Sequence, residues 1–277
     1  MTAPRDELVE LRGLRFHYRD WPGPTPGAPS LVLLHGYTGH ARSWDAFAEA
    51  MTDRYRVVAL DQRGHGETAW GPADGYTSAE MAADLEAFVK ALGLKRFSLL
   101  GLSMGGAVSI EYAGRRPDAL AALVIVDIAP EIVAAGSTRI QAGARASDIF
   151  ASRDEAFAVA RAASTIPPEA HHRHRSDHAL MRTEDGQWTY RYDRALRQPG
   201  TLRFRDAKTG WASCANIAVP TQIIRGEISD ILAPEIAQRM TEVIPGAVLA
   251  TVAGSGHSVP LDKPDGFLAA ARGFLKG

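Results

Sequence analysis

The stretch Phe97-Ser-Leu-Leu-Gly-Leu-Ser103-Met-Gly-Gly-Ala-Val-Ser-Ile-Glu-Tyr-Ala113 decides the fold. Phe97 to Leu100 is a short apolar run, and Met104 to Arg115 reads as a helix that starts directly after Ser103. Gly101-Leu-Ser103-Met-Gly105-Gly106 sits between them. A sharp strand-to-helix turn lifts a serine hydroxyl off the end of a sheet, and small residues on both sides let the strained turn fit. The bare pattern is weak in a glycine-rich chain. Its strand-turn-helix setting is what carries the reading.

Working outward, Leu31 to Leu34, Tyr55 to Leu60, Leu120 to Val126, Thr221 to Ile224 and Val248 to Val252 are further short runs, apolar on both faces. Strands buried on both faces of a parallel sheet have this pattern. Leu8 to Trp21, broken at Gly13, predicts a β-hairpin, and Pro22 to Ser30 predicts a loop. Helical patterns fall between the strands. Thr77-Ser-Ala-Glu80 is a capping box, followed by Met81, Leu85, Phe88, Val89 and Leu92 on one face, with Gly93 as the stop. Pro234 suits a first helical turn, and Phe267 to Leu275 closes the chain. Alternating strand and helix implies a doubly wound α/β domain.

That rhythm breaks from about Glu131 to Ala215, a segment rich in Ala, Arg and His. Ser152-Arg-Asp-Glu155 is a second capping box there, and Pro167-Pro168 breaks the chain after the helix it opens. The predicted organisation is a core formed by residues 1–130 and 216–277, with 131–215 inserted as a helical cap or lid.

Composition bounds the function. The 277 residues are 45% hydrophobic and 23% charged, an ordinary globular balance. A net charge of −1 provides no field to hold a polyanion, so nucleic acid is not an expected partner. Cys214 is the only cysteine, which excludes an internal disulfide and a Cys-based zinc site; it is expected to be a buried small hydrophobe. The N-terminus lacks the apolar core of a signal peptide, and there is no run of apolar residues long enough to span a membrane. These features point to a cytoplasmic protein with a small-molecule substrate, no membrane association, no cofactor and no metal. Nothing in the sequence bears on oligomeric state.

A serine hydroxyl is nearly inert at neutral pH, so it needs a base, and the base needs an orienting acid. His257 follows the Val248–Val252 run, in Gly254-Ser-Gly-His257-Ser-Val-Pro. Asp230 follows the Thr221–Ile224 run, in Arg225-Gly-Glu-Ile-Ser-Asp230. Each lies just past the C-terminal end of a strand, the edge where open α/β sheets place ligands. The order Ser103, Asp230, His257 is the one this elbow carries. Asp127 also ends a strand and competes for the acid role; Asp230 is the expected acid, with Asp127 anchoring the lid. The backbone N–H groups of Met104 and Tyr37 are the expected oxyanion donors, with Gly36 allowing close backbone approach.

The sequence resembles the α/β-hydrolase fold family from about Leu8 to Leu275, most weakly in the cap. The resemblance rests on His35-Gly36, Asp61-Gln-Arg-Gly-His65-Gly66, the elbow at Ser103, Asp230 and His257. It implies a mostly parallel sheet flanked by helices, with Ser103 as nucleophile, His257 as base and Asp230 as acid. Some family members carry the acid where Asp127 stands. The Asp61–Gly66 loop resembles a structural turn of the family. The Gly-Leu-Ser-Met-Gly-Gly string resembles small-molecule esterases and enol-lactonases, so a serine hydrolase of small carboxylic esters or lactones is expected. Amide, carbamate or C–C cleavage on the same residues and a small-molecule receptor that retains them stay open.

Other candidates have plainer readings. His171, His172, His174 and His178 cluster in the cap, and His174 and His178 have i, i+4 spacing. The cluster lacks an obvious third ligand and is interleaved with Arg173 and Arg175, whose charge opposes a cation. Arg182, Arg191, Arg194, Arg197, Arg203 and Arg205 form a solvated face, or include one residue that meets a substrate carboxylate. Trp188, Tyr190 and Tyr192 alternate, walling a pocket or packing the cap.

Overall fold

In a computed structural model, residues 3–131 and 147–277 are described. The main sheet has eight strands: β1 (Arg5–Leu11), β2 (Leu14–Trp21), β3 (Ser30–Leu34), β4 (Arg56–Leu60), β5 (Phe97–Leu102), β6 (Leu120–Val126), β10 (Thr221–Gly226) and β11 (Val248–Val252). Their spatial order is β1-β2-β4-β3-β5-β6-β10-β11. The hairpin β1–β2 is antiparallel and joins β4 antiparallel; the remaining pairings are parallel. The parallel strands therefore all end on one edge.

The predicted runs fall on these strands, and most are buried on both faces; Val248–Val252 is the exception, because as the edge strand it leaves Val248 and Leu249 exposed. Leu31 to Leu34 and Val57 to Leu60 are buried at every position. Helices cover both sides. Met81, Leu85 and Phe88 of α2 (Ser78–Ala91), Val108 of α3 (Met104–Ala113) and Met240 of α7 (Pro234–Val243) form one layer with Val32, Leu99 and Ile223. Phe47 and Met51 of α1 (Asp45–Met51) pack on the other with Phe267 and Ala271 of α8 (Pro264–Phe274). The Thr77 side chain accepts the Glu80 N–H as an N-cap, but the return half of the predicted capping box does not form: Thr77 N–H donates to Gly75 O and the Glu80 carboxylate takes Arg12 instead.

The insertion is not wholly helical. Its described part contains α4 (Arg153–Ala163) and α5 (Glu169–His178) together with a three-stranded antiparallel sheet, β7 (Ile149–Phe150), β9 (Trp188–Tyr190) and β8 (Leu180–Arg182) in that spatial order. The sheet forms because Gly186, at φ 82°, closes a turn in which Thr183 N–H donates to Gln187 O. Residues 132–146 of the predicted cap lie outside the described set. The last helix of the insertion, α6 (Ala207–Asn216), packs on α3 and α7, so it joins the layer over the main sheet and carries buried Cys214 into that core.

Candidate active site

The elbow forms where the sequence places it. Ser103, between β5 and α3, has φ 52°, a left-handed conformation that a non-glycine residue adopts at a cost. The surrounding packing holds it there: Ser103 N–H donates to Val126 O at 2.9 Å, and Gly105 N–H to His35 O at 3.1 Å. A Cβ on Gly105 would sit 2.5 Å from Leu34 O, so only glycine lets α3 start this close to β3.

Ser103 Oγ and His257 Nε2 are 2.9 Å apart, and His257 Nδ1 lies 2.7 Å from Asp127 Oδ2. The expected acid was therefore misplaced: the carboxylate that orients His257 is that of Asp127, and Asp230 does not occupy this position. Three features explain the difference. First, β6 lies directly beside β5 in the sheet, so the residue after β6 emerges next to the elbow. Second, Asp127 has φ 51°, a conformation that aspartate tolerates better than most residues, and its fully buried carboxylate is held over the end of β10. There Oδ1 accepts the Gly226 N–H at 2.9 Å and Oδ2 accepts the Ser229 hydroxyl. Third, the residue after β10 that faces this carboxylate is Ser229, one position before Asp230. Asp230 is half-buried and has a contact of its own. The signal for Asp127 was present, since it closes a strand, but strand adjacency is absent from the linear order.

The His257 loop is seated on β10. Ile228 N–H donates to Ser255 O at 3.0 Å, and Gly226 leaves room for Gly256 O, which a Cβ there would approach to 2.1 Å. Asp262 accepts the Gly256 N–H at 2.9 Å, and burial raises its pKa.

The loop after β3 faces Ser103, with a Cβ on Gly36 only 3.3 Å from Ser103 Cβ. Among the described residues, neither the Tyr37 N–H nor the Met104 N–H donates to a protein acceptor. The Tyr37 hydroxyl donates to Leu196 O at 3.2 Å, and burial pushes its pKa up to about 12. The Asp61–Gly66 segment forms the buried turn expected of it. Asp61 accepts from Ala41 N–H at 2.6 Å, Glu67 N–H at 2.9 Å and His17 Nδ1 at 2.7 Å. Burial alone would raise its pKa, but the hydrogen bond from His17 and the neighbouring imidazoles outweigh this and bring it to about 2.

A cavity of about 320 Å³ opens on Ser103 and His257, lined by the loop after β3 and by Arg175, Tyr190, Tyr192 and Arg197 from the insertion. Tyr190 and Tyr192 do both things the alternation allowed: they stack at 5.8 Å and face the cavity. His174 pairs with Asp45 at 3.0 Å and packs against His178, with ring centroids 4.4 Å apart and planes tilted by 46°. No group of three or more His, Cys, Asp or Glu among the described residues could hold a metal ion. No described helix is long and apolar enough to cross a membrane.

Comparison with known proteins agrees with this architecture. A family model described as alpha/beta hydrolase fold matches residues 29–264. RutD of Cronobacter sakazakii, which bears the name of a carbamate hydrolase, is 31% identical over 249 residues, 88% of this chain and 89% of its own. The N-formylmaleamate deformylase of Pseudomonas putida is 29% identical over 280 residues, 96% of this chain and 95% of its own. The crystal structure of E-2-(acetamidomethylene)succinate hydrolase superposes with a TM-score of 0.89 at 22% identity, covering 99% of this chain and 100% of that one, which speaks to the fold alone. The chain belongs to the α/β-hydrolase fold family.

Proposed function

We propose that this protein is a serine hydrolase that cleaves a small carboxylic ester or lactone through an acyl-enzyme. One observation carries the reading: the continuous hydrogen-bonded chain from Ser103 Oγ through His257 to Asp127 at the rim of a cavity. Ser103 Oγ attacks the carbonyl carbon while His257 Nε2 takes its proton. Asp127 holds the imidazole in the tautomer with Nδ1–H and stabilises the cation that forms. The Tyr37 and Met104 N–H groups receive the oxyanion, each worth roughly 3 kcal/mol. The imidazolium returns the proton to the leaving alkoxide. Water, deprotonated by His257, then releases the acid and restores Ser103. The insertion acts as the lid that closes the cavity and selects the acyl group.

The names of RutD and the deformylase favour a second reading on the same residues, cleavage of an acyl–nitrogen bond. In that case His257 protonates a leaving amine, and the remaining steps are the same. The test is a panel of p-nitrophenyl esters, lactones, carbamates and N-acyl amides, run with Ser103→Ala alongside and with a fluorophosphonate label. The expected result is turnover of at least one class and labelling of the wild-type chain, both absent in the folded variant. Turnover undiminished in Ser103→Ala defeats the proposal.

A further inference from the structure

The cavity over Ser103 has a one-sided charge. Among its lining residues are two guanidinium groups, Arg175 and Arg197, and no aspartate or glutamate. Their situations differ. Arg197 donates to the Tyr192 hydroxyl at 2.9 Å and lies 3.6 Å from an Asp148 carboxylate oxygen, so its charge is answered within the protein. The Arg175 guanidinium has neither a hydrogen-bond acceptor nor a carboxylate at ion-pair distance among the described residues. The one carboxylate whose charge acts on it, that of Asp262, is engaged with the Gly256 N–H. The half-buried side chain reaches the cavity without an acceptor of its own, and a partly desolvated cation without a partner costs free energy. Burial depresses the pKa of Arg175, the signature of that cost.

The backbone around Arg175 is pinned to the core. Its carbonyl accepts from Nε2 of buried His40, just past β3, at 3.0 Å. Neighbouring Ser176, also buried, lines the same cavity. The backbone of the residue is therefore held at a fixed place on the wall of the cavity that Ser103 also lines, and a guanidinium offers the planar fork that fits a carboxylate.

We infer that Arg175 is the anchor for a carboxylate on the substrate, so that the molecule cleaved at Ser103 is an acid carrying a second, hydrolysable acyl bond. This rests on the hydrolase reading above and narrows its substrate class. The hydrolysable group faces Ser103 while the free carboxylate forks onto Arg175, and Arg197 adds positive potential without giving up Asp148. An anchored carboxylate also fixes the register of the scissile carbonyl, so the benefit appears in kcat/KM.

The experiment uses a matched pair, the mono-p-nitrophenyl ester of glutaric acid and its methyl-capped diester, which differ in one charge. Wild type is expected to prefer the free acid by about tenfold or more in kcat/KM, the scale of a charge-assisted contact. Arg175→Met is expected to collapse that preference mainly through KM for the acid, and Arg175→Lys to restore part of it. Equal use of both esters by wild type, or an equal loss on both in folded Arg175→Met, overturns the inference. Calorimetric titration with glutarate gives a readout independent of turnover. If no ester is cleaved, the hydrolase reading falls, yet glutarate bound by wild type and lost in Arg175→Met still supports the anchor. Glutarate that does not bind wild type overturns it. Should Arg175→Met fail to fold, the wild-type preference and glutarate binding decide alone.

Discussion

Asp127 Oδ2 lies 2.7 Å from His257 Nδ1, although 130 positions separate the two residues in the chain. Two further donors, Gly226 N–H and the Ser229 hydroxyl, hold the same carboxylate, so its orientation does not depend on the imidazole. This makes the two candidate acids separable by experiment. Asp127→Asn should lower kcat by about 10³–10⁴, because an amide cannot favour the productive tautomer. Asp230→Asn should keep most of the activity. Steady-state rates on one ester decide it, and the reverse ranking would mean that Asp127 serves only to brace the loop.

Gly226→Ala tests whether the seat of the His257 loop matters. The new Cβ would meet Gly256 O at 2.1 Å, next to the His257 imidazole, so the loop must shift. A displacement of about 1 Å at a reacting group costs on the order of 100-fold in rate. We expect that loss with a folded chain by circular dichroism. An unchanged kcat would show that the loop repacks freely.

Buried histidines predict the response to acid. Burial lowers the pKa of His35, and lowers those of His40 and His65 to about 3. Above about pH 6.5 both folded and unfolded forms are neutral. As pH falls from there toward 3, the unfolded chain takes up protons that the folded chain refuses, so stability falls by up to about 1.4 kcal/mol per pH unit for each histidine. His17 opposes this. Burial alone would lower its pKa, but Asp61 raises it, and its contribution is fully present below pH 6.5 and lost as pH rises through the folded value. Burial also lowers the pKa of His172 and His178, while the hydrogen bond to Asp45 raises that of His174, so five groups against two give a net loss. Thermal melts between pH 8 and pH 5 should show Tm falling with pH, and a flat profile contradicts the assignment of neutral buried imidazoles.

Asp84 anchors the loop after β4 to α2. It is 2% exposed and receives Arg63 Nε at 2.5 Å, Arg63 Nη2 at 2.7 Å and Arg12 Nη1 at 2.8 Å. Removing one partner of a buried ion pair leaves the other uncompensated, at about 3–5 kcal/mol. Arg12 already donates to Glu80, whereas buried Arg63 keeps only a hydrogen bond to Gly75 O and a longer, 3.8 Å approach to the same Glu80 carboxylate. Asp84→Ala should therefore lose about 3 kcal/mol in urea denaturation, and a loss below about 1 kcal/mol would show that water reaches Arg63 in the variant.

Much of this molecule is legible in its sequence. Strands buried on both faces, such as Leu31 to Leu34, appear as unbroken apolar runs because neither face can be polar. The elbow is legible because its glycines include ones imposed by local contact, as at Gly101, where a Cβ would meet Gly105 O at 2.3 Å. In the insertion the short β7–β9–β8 sheet is hidden, since strands of two or three residues leave too little periodicity to detect.

Chain order and local turn chemistry were enough to determine which serine and which histidine could meet at the sheet edge, because both follow strands and both sit in tight glycine-flanked turns. Tertiary structure alone decided which carboxylate completes the chain and which arginines line the cavity over the serine. Those choices depend on strands adjacent in space, on the left-handed turn that aims Asp127 over β10, and on the docking of α5 through His40. Such relationships are non-local, and no window of sequence contains both partners.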